Sequence, residues 1–127
     1  MTEEFQTSKP IYRQIADRII QQFVRGEISP GEKLPSVREM AIQSGVNPNT
    51  IQRTYGELER MGVVETKRGQ GTFMTEQIEM KRQLRTEIQR EMIEMFIQNM
   101  RGIGVEDREI TEAVEQALMG KGRAEND

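Results

Sequence analysis

The order of apolar and polar positions divides the 127-residue chain into a short-element front and a helical tail. Ile11, Ile15, Ile19 and Phe23 recur every four residues, and Ala16, Ile20 and Val24 widen the row. This spacing predicts a helix from about Pro10 to Arg25 packed on a core. Gly26 and Ser29-Pro30-Gly31 then end it and turn the chain. Ser36 and Glu39 form an S-x-x-E capping box, so a second helix starts at Val37, with Met40 and Ala41 on its inward face. Gly45 stands where the chain leaving that helix needs a left-handed conformation. Asn47 followed by Pro48 signals a third start, because Asn caps well and Pro is tolerated at the first helical position. Ile51, Tyr55 and Leu58 then face the core, while Asn49, Gln52 and Arg53 share a different, polar face. After Gly62, Val63-Val64 and Thr72-Phe73 flank Arg68-Gly69-Gln70-Gly71, which predicts a tight hairpin with a basic tip.

From Thr75 to about Asn99 the chain holds no Gly or Pro and strong helix formers dominate. Leu84, Ile88, Met92, Met95, Phe96 and Met100 form a stripe that Ile93 and Ile97 broaden. Gly102-Ile103-Gly104 breaks this helix, and Val105 to Met119 makes a second, with Ile110, Val114, Ala117 and Leu118 on one face. Two such helices joined by a short turn want a partner surface, and a second copy of the chain is the expected one. Five of the nine Met residues (Met80, Met92, Met95, Met100 and Met119) lie in this tail, which fits interface packing by a flexible side chain better than a ligand pocket. The expected domains are residues 8–75 and 76–120, with residues 1–7 and 121–127 flexible.

The fold class that follows is mostly α with a small β-hairpin. It comprises an N-terminal winged helix-turn-helix and a C-terminal helical dimerisation hairpin. A winged helix-turn-helix places one helix in a DNA major groove and a loop beside it. Net charge, at −3 for the whole chain, by itself argues against such a partner. Residues 1–75 carry 10 basic against 9 acidic side chains, a net of +1, whereas residues 76–127 carry 8 against 12, a net of −4. The case rests on placement, since Arg38, Arg53, Lys67 and Arg68 fall on the elements that would face DNA.

Other chemistries find little support. Without Cys or His the chain has no disulfide, no zinc site of the usual kinds and no triad or dyad built on either residue, and no cofactor is implied. Glu87, Glu91 and Glu94 read as a solvated helix face, and no nucleophile, base and orienter come together, so an enzyme is not expected. Met1 to Ser8 is polar and lacks the apolar core of a secretory signal, and no apolar run approaches the roughly 20 residues that cross a bilayer. A cytoplasmic protein with no membrane partner is the expectation.

Several motifs, in order, carry a family resemblance. Pro10-Ile11-Tyr12-x-Gln14-Ile15, Gly31-x-x-Leu34-Pro35-Ser36-x-Arg38-Glu39, Gly45-Val46-x-x-x-Thr50 and Gly69-x-Gly71-Thr72-Phe73 resemble the DNA-binding domain of GntR-type bacterial transcription regulators over residues 8 to 75. The tail of about 50 residues resembles the short-tailed YtrA-type branch, for which the family implies two C-terminal helices that dimerise the protein. The larger effector domains and the aminotransferase-like domain of other branches are absent from this sequence.

The resemblance implies roles. Arg38 matches a DNA-contacting Arg. Asn47, Pro48, Asn49 and Thr50 form the turn of the recognition helix that enters the major groove, with Thr50 suited to a phosphate. Gln52 stands where many relatives have Arg, and Gln pairs better with adenine than with guanine. Arg53 stands where many have Arg or Lys. Arg68 and Gly69 match the wing tip that reaches the minor groove, where a narrow groove attracts Arg. Plainer readings stand beside these: Arg38 pairing with a nearby acid, Asn47 only capping, Gln52 and Arg53 forming an ordinary solvated face, Lys67 only offsetting Glu65, and the first helix purely structural, where the other reading has Tyr12 and Arg13 touching backbone phosphates. The function implied is a sequence-specific regulator, a repressor, binding a near-palindromic operator as a homodimer, with a small-molecule effector left open. The alternative is a winged-helix protein-interaction module without sequence-specific DNA binding.

Overall fold

The computed structural model describes the backbone of residues 8–126 and the side chains of residues 8–120. The expectations of flexibility at residues 1–7 and 121–127 fall outside the described side chains. Element order is α1 (Ile11–Val24), α2 (Val37–Ser44), α3 (Pro48–Arg60), β1 (Val64–Lys67), β2 (Gly71–Met74), α4 (Ile78–Gly102) and α5 (Asp107–Asn126). The chain divides into two compact units, Met1–Arg85 and Thr86–Asp127.

In the first unit α1 buries Ile15, Ala16, Ile19, Ile20 and Phe23, following the predicted row. Ile11, its first member, is 44% exposed because it opens the helix beyond the packed face. The core is completed by Leu34, Ala41, Ile51, Tyr55, Leu58, Val63, Val64 and Met74. Full burial of side chains of this size contributes roughly 1.5–3 kcal/mol each. Tyr55 brings a hydroxyl into that setting and donates it to the Pro35 carbonyl at 2.7 Å. Burial pushes the Tyr55 phenol up to about 12. Thr54 is fully buried, and its hydroxyl donates to the carbonyls of Thr50 at 2.9 Å and Tyr12 at 3.2 Å, tying α3 to the start of α1.

The hairpin is antiparallel, with Val64 opposite Met74 and Lys67 opposite Gly71. Its loop is Arg68-Gly69-Gln70, one residue shorter than the sequence suggested, because Gly71 pairs as strand. A third extended segment, absent from the sequence reading, joins the sheet edge: Leu34 donates to the Thr72 carbonyl and Met74 to the Glu32 carbonyl, each at 2.8 Å. Lys33 forms an isolated bridge with Phe73.

The first unit extends to Arg85, past the expected boundary at 75. The opening turns of α4 cover it: Lys81 Nζ lies 5.6 Å from the Phe23 ring centroid, and Leu84 is buried. In the second unit Arg101 grips Asp107 with two hydrogen bonds, at 2.9 and 2.8 Å, across the turn that joins α4 to α5. Two residues expected on the face offered to a partner are instead buried within the single chain, Leu84 in the first unit and Ile110 in the second. Met92, Met95, Phe96, Val114 and Leu118 are exposed, as are Ile93, Ile103 and Met119. Ile88 and Met100 are partly covered. Among the described residues no helix is long and apolar enough to cross a membrane.

Candidate nucleic-acid interface

Two helix starts and a hairpin tip shape the surface. At α2 the capping box is complete: Ser36 Oγ accepts from the Glu39 amide at 3.1 Å, and Glu39 Oε1 accepts from the Ser36 amide at 3.0 Å. The Ser36 backbone amide first, and the Ser36 hydroxyl second, hold the Glu39 carboxyl below its ordinary value. Gly45 takes φ 67 at the end of α2, and Val46 donates back to the Ala41 carbonyl at 3.0 Å. That left-handed residue makes the sharp turn into α3 affordable. Asn47 Oδ1 accepts from the Asn49 amide at 2.8 Å, and Pro48 occupies the first helical position. The cap role of Asn47 is therefore realised, which leaves its amide NH2 for other partners.

The first turn of α3 contains no acidic residue, so the positive end of its dipole meets solvent unopposed. Pro48, Asn49, Gln52 and Arg53 are exposed there, and Thr50 is half-buried. Arg53 leans across α1, with its guanidinium carbon 4.1 Å from the Tyr12 ring centroid. Arg38, in the first turn of α2, is exposed. On the hairpin, Lys67 Nζ sits 4.7 Å from the Phe73 ring centroid instead of meeting Glu65. Gly69 supplies φ 78, and Gln70 donates to the Lys67 carbonyl at 2.8 Å, which closes the turn and leaves Arg68 at its exposed tip.

The four cations singled out from sequence share one property. Among the described residues, none of Arg38, Arg53, Lys67 and Arg68 forms an ion pair with a carboxylate. Neighbouring cations do: Lys9 pairs with Asp17 at 3.1 Å, and Arg13 pairs with Glu57 at 3.1 Å. Arg60 also pairs with Glu57, whose carboxyl is lowered first by that Arg60 hydrogen bond.

Two contacts behind this surface are not marked in the sequence, although Tyr12 itself is a candidate there for touching phosphates. Tyr12 supplies the ring beneath Arg53, and Lys33 backs the hairpin, where a Cβ added at Gly71 would come within 2.9 Å of Lys33 Cε. Both join segments about 40 residues apart, and no local pattern announces such pairings.

Comparison with known proteins places this geometry. Residues 11–74 match the model of the family described as bacterial regulatory proteins, gntR family. The chain is 55% identical over 120 residues to the HTH-type transcriptional regulator YhcF of Bacillus subtilis, covering 94% of this chain and 99% of that protein. It is 49% identical over 70 residues to the HTH-type transcriptional repressor YtrA of the same organism, covering 55% and 54% of the two chains. A GntR family transcriptional regulator from Listeria monocytogenes superposes with a TM-score of 0.81 at 41% identity, covering 88% of this chain and 98% of that one. The AraR DNA-binding domain, solved in complex with operator ORX1, superposes with a TM-score of 0.54 at 31% identity, covering 58% of this chain and 96% of that one. With family motifs, capped helix-turn-helix and hairpin coinciding, the chain belongs to the GntR family of bacterial transcription regulators.

Proposed function

We propose that this DNA-binding regulator acts in the cytoplasm as a sequence-specific, homodimeric repressor on a near-palindromic operator. Regulators of this family are not enzymes, and the docking-module alternative is not favoured. The observation that carries the reading is the set of unpaired cations on the α2, α3 and hairpin surface, together with the polar side chains of Asn49 and Gln52. A cation in the first turn of a helix opposes the dipole, at roughly 0.3–1 kcal/mol. Arg38 therefore costs stability where it stands, as expected of a side chain kept for a phosphate.

In this reading the first turn of α3 enters the major groove. Asn47, Pro48, Asn49 and Thr50 form the leading edge, Gln52 reads an adenine and Arg53 reaches a phosphate or base edge. Arg68 and Gly69 follow the minor groove, with Lys67 beside them. The exposed apolar side chains of Met92, Met95, Phe96, Val114 and Leu118, flanked by Ile88 and Met100, meet their equivalents in a second copy. A two-fold dimer presents two recognition helices to two half-sites.

The test is a binding titration at two salt concentrations, with DNA upstream of the protein's own gene against a scrambled duplex of equal length. Preference for the native fragment by about 10³-fold or more is the expected outcome. Equal binding to both that vanishes with salt leaves only phosphate attraction and overturns sequence specificity.

A further inference from the structure

A second charged feature lies within the first unit, where the end of α1 meets the opening turns of α4. Ile78, Lys81, Arg82 and Arg85 fall at successive steps of three, one and three along α4, so they share a face. With Val24 and Arg25 they line a cleft of about 280 Å³. Its walls are apolar at Val24 and Ile78, bare backbone at Gly26 and cationic at Arg25, Lys81, Arg82 and Arg85, and no carboxylate lines it. Segment 76–127 is net acidic, yet three of its eight basic residues gather here.

Two carboxylates outside the lining offset part of that charge. Glu27 pairs with Arg25, and Glu79 pairs with Arg82 at 3.1 Å. Lys81 has the Phe23 ring beneath it, which leaves its charge uncompensated. Arg85 has no ion pair among the described residues. Four cations against two carboxylates leave +2 around one small cleft.

Operator phosphates are not its natural occupant. Tyr12 marks where α1 meets α3, through the Thr54 hydroxyl. Val24 lies twelve residues further along α1, about 18 Å at 1.5 Å per residue. The cleft therefore stands well away from the candidate nucleic-acid surface.

We propose that the cleft binds a small phosphorylated molecule with an apolar part. A phosphate monoester carries close to two negative charges near neutral pH, matching the +2 of the site. Guanidinium forks of Arg25, Arg82 and Arg85 suit its oxygens, and Lys81 adds a point charge. Val24 and Ile78 take the apolar part. The volume is at the small end for ligand sites, which favours a compact ligand. The proposal does not rest on the operator reading, and its test contains no DNA.

The experiment is an NMR titration of the full chain with phenyl phosphate, and with phenol as the uncharged control, at constant ionic strength. Saturable binding with a dissociation constant of about 1 mM or tighter is expected, with amide shifts at Gly26, Lys81 and Arg85. Arg85→Gln and, separately, Arg25→Gln should each weaken it about tenfold. Both side chains are exposed, so the folded spectrum should persist in each variant. Shifts confined to Asn49, Arg53 and Arg68, non-saturating shifts, equal binding of phenol, or unchanged affinity in both variants would each overturn the site.

Discussion

The Arg53 guanidinium stands over the Tyr12 ring, 4.1 Å from its centroid, and the Tyr12 carbonyl accepts from Thr54 at 3.2 Å. One residue of α1 is therefore held by α3 through its backbone while its ring supports a cation of the same helix. Arg13, next in sequence, is tied to Glu57. The start of α1 and the exposed face of α3 behave as one assembly, with Arg53 its exposed outer member.

Removing the ring should free Arg53 without unfolding the helix pair, since the Thr54 bond reaches the Tyr12 backbone. For Tyr12→Ala we expect operator binding weaker by about 0.5–1 kcal/mol, the usual worth of an exposed cation–π contact. Tyr12→Phe keeps the ring and should bind as the parent does. Fluorescence-anisotropy titrations of both variants decide it. A Phe variant as weak as the Ala variant would give the effect to the hydroxyl, and an undiminished Ala variant would make the stack irrelevant to binding.

Acid should expose the capping box. Glu39 is held below its ordinary 4.5 by the Ser36 amide and hydroxyl and, less, by Lys33. A depressed carboxyl contributes stability that is present above its unfolded value and lost as pH falls through the folded one. Glu39→Gln keeps an acceptor but removes the charge. It should therefore unfold at lower urea than the parent at pH 7, and the gap should be smaller at about pH 3. Equal gaps at both pH values would show that the bonds, not the charge, carry the effect.

How much of this was legible in the sequence follows from how local each signal is. Ser36–Glu39, Gly45 and Asn47–Pro48 act within four residues, and each took the role that its spacing predicts. The Arg53–Tyr12 stack, the Arg13–Glu57 pair and the Lys33–Phe73 bridge link residues about 40 apart, and nothing near either partner marks them. Leu84 shows the opposite limit. Its helical spacing placed it correctly on the apolar stripe of α4, but spacing does not say which body a stripe packs against. The first two turns turned out to cover the first unit. DNA-facing roles came from family motifs, since a net charge of −3 would not have suggested them.

The hairpin tip and the recognition helix should fail in different ways. Arg68 is exposed at the tip with no ion partner among the described residues, so Arg68→Ala should weaken binding to all duplexes and lower the salt slope by about 1. Gln52 offers a donor and an acceptor and should be felt in base preference instead. Selection from a random duplex pool with Gln52→Ala should return an altered consensus. An identical consensus would take Gln52 out of base readout, and an unchanged salt slope would take Arg68 off the DNA.

The tail gives the last expectation. Phe96 is 39% exposed and Met95 61%, on a stretch of α4 that belongs to the second unit, with Val114 and Leu118 exposed on α5. Side chains of this kind left in water forgo roughly 1.5–3 kcal/mol each that burial in an interface returns. A stable interface needs about 1,000 Å² or more in total, so several of these side chains must be buried together. Sedimentation should therefore give the parent chain twice the 14.7 kDa of one copy. Phe96→Asp would force an unpaired carboxylate into that contact and should shift the chain to a single copy, with operator affinity falling to that of one half-site. Ile42→Asp removes an equally apolar group, 75% exposed on α2 of the first unit, and should leave the mass doubled. A parent chain that sediments as one copy would remove the dimer, and a Phe96→Asp chain that stays doubled would move the contact elsewhere.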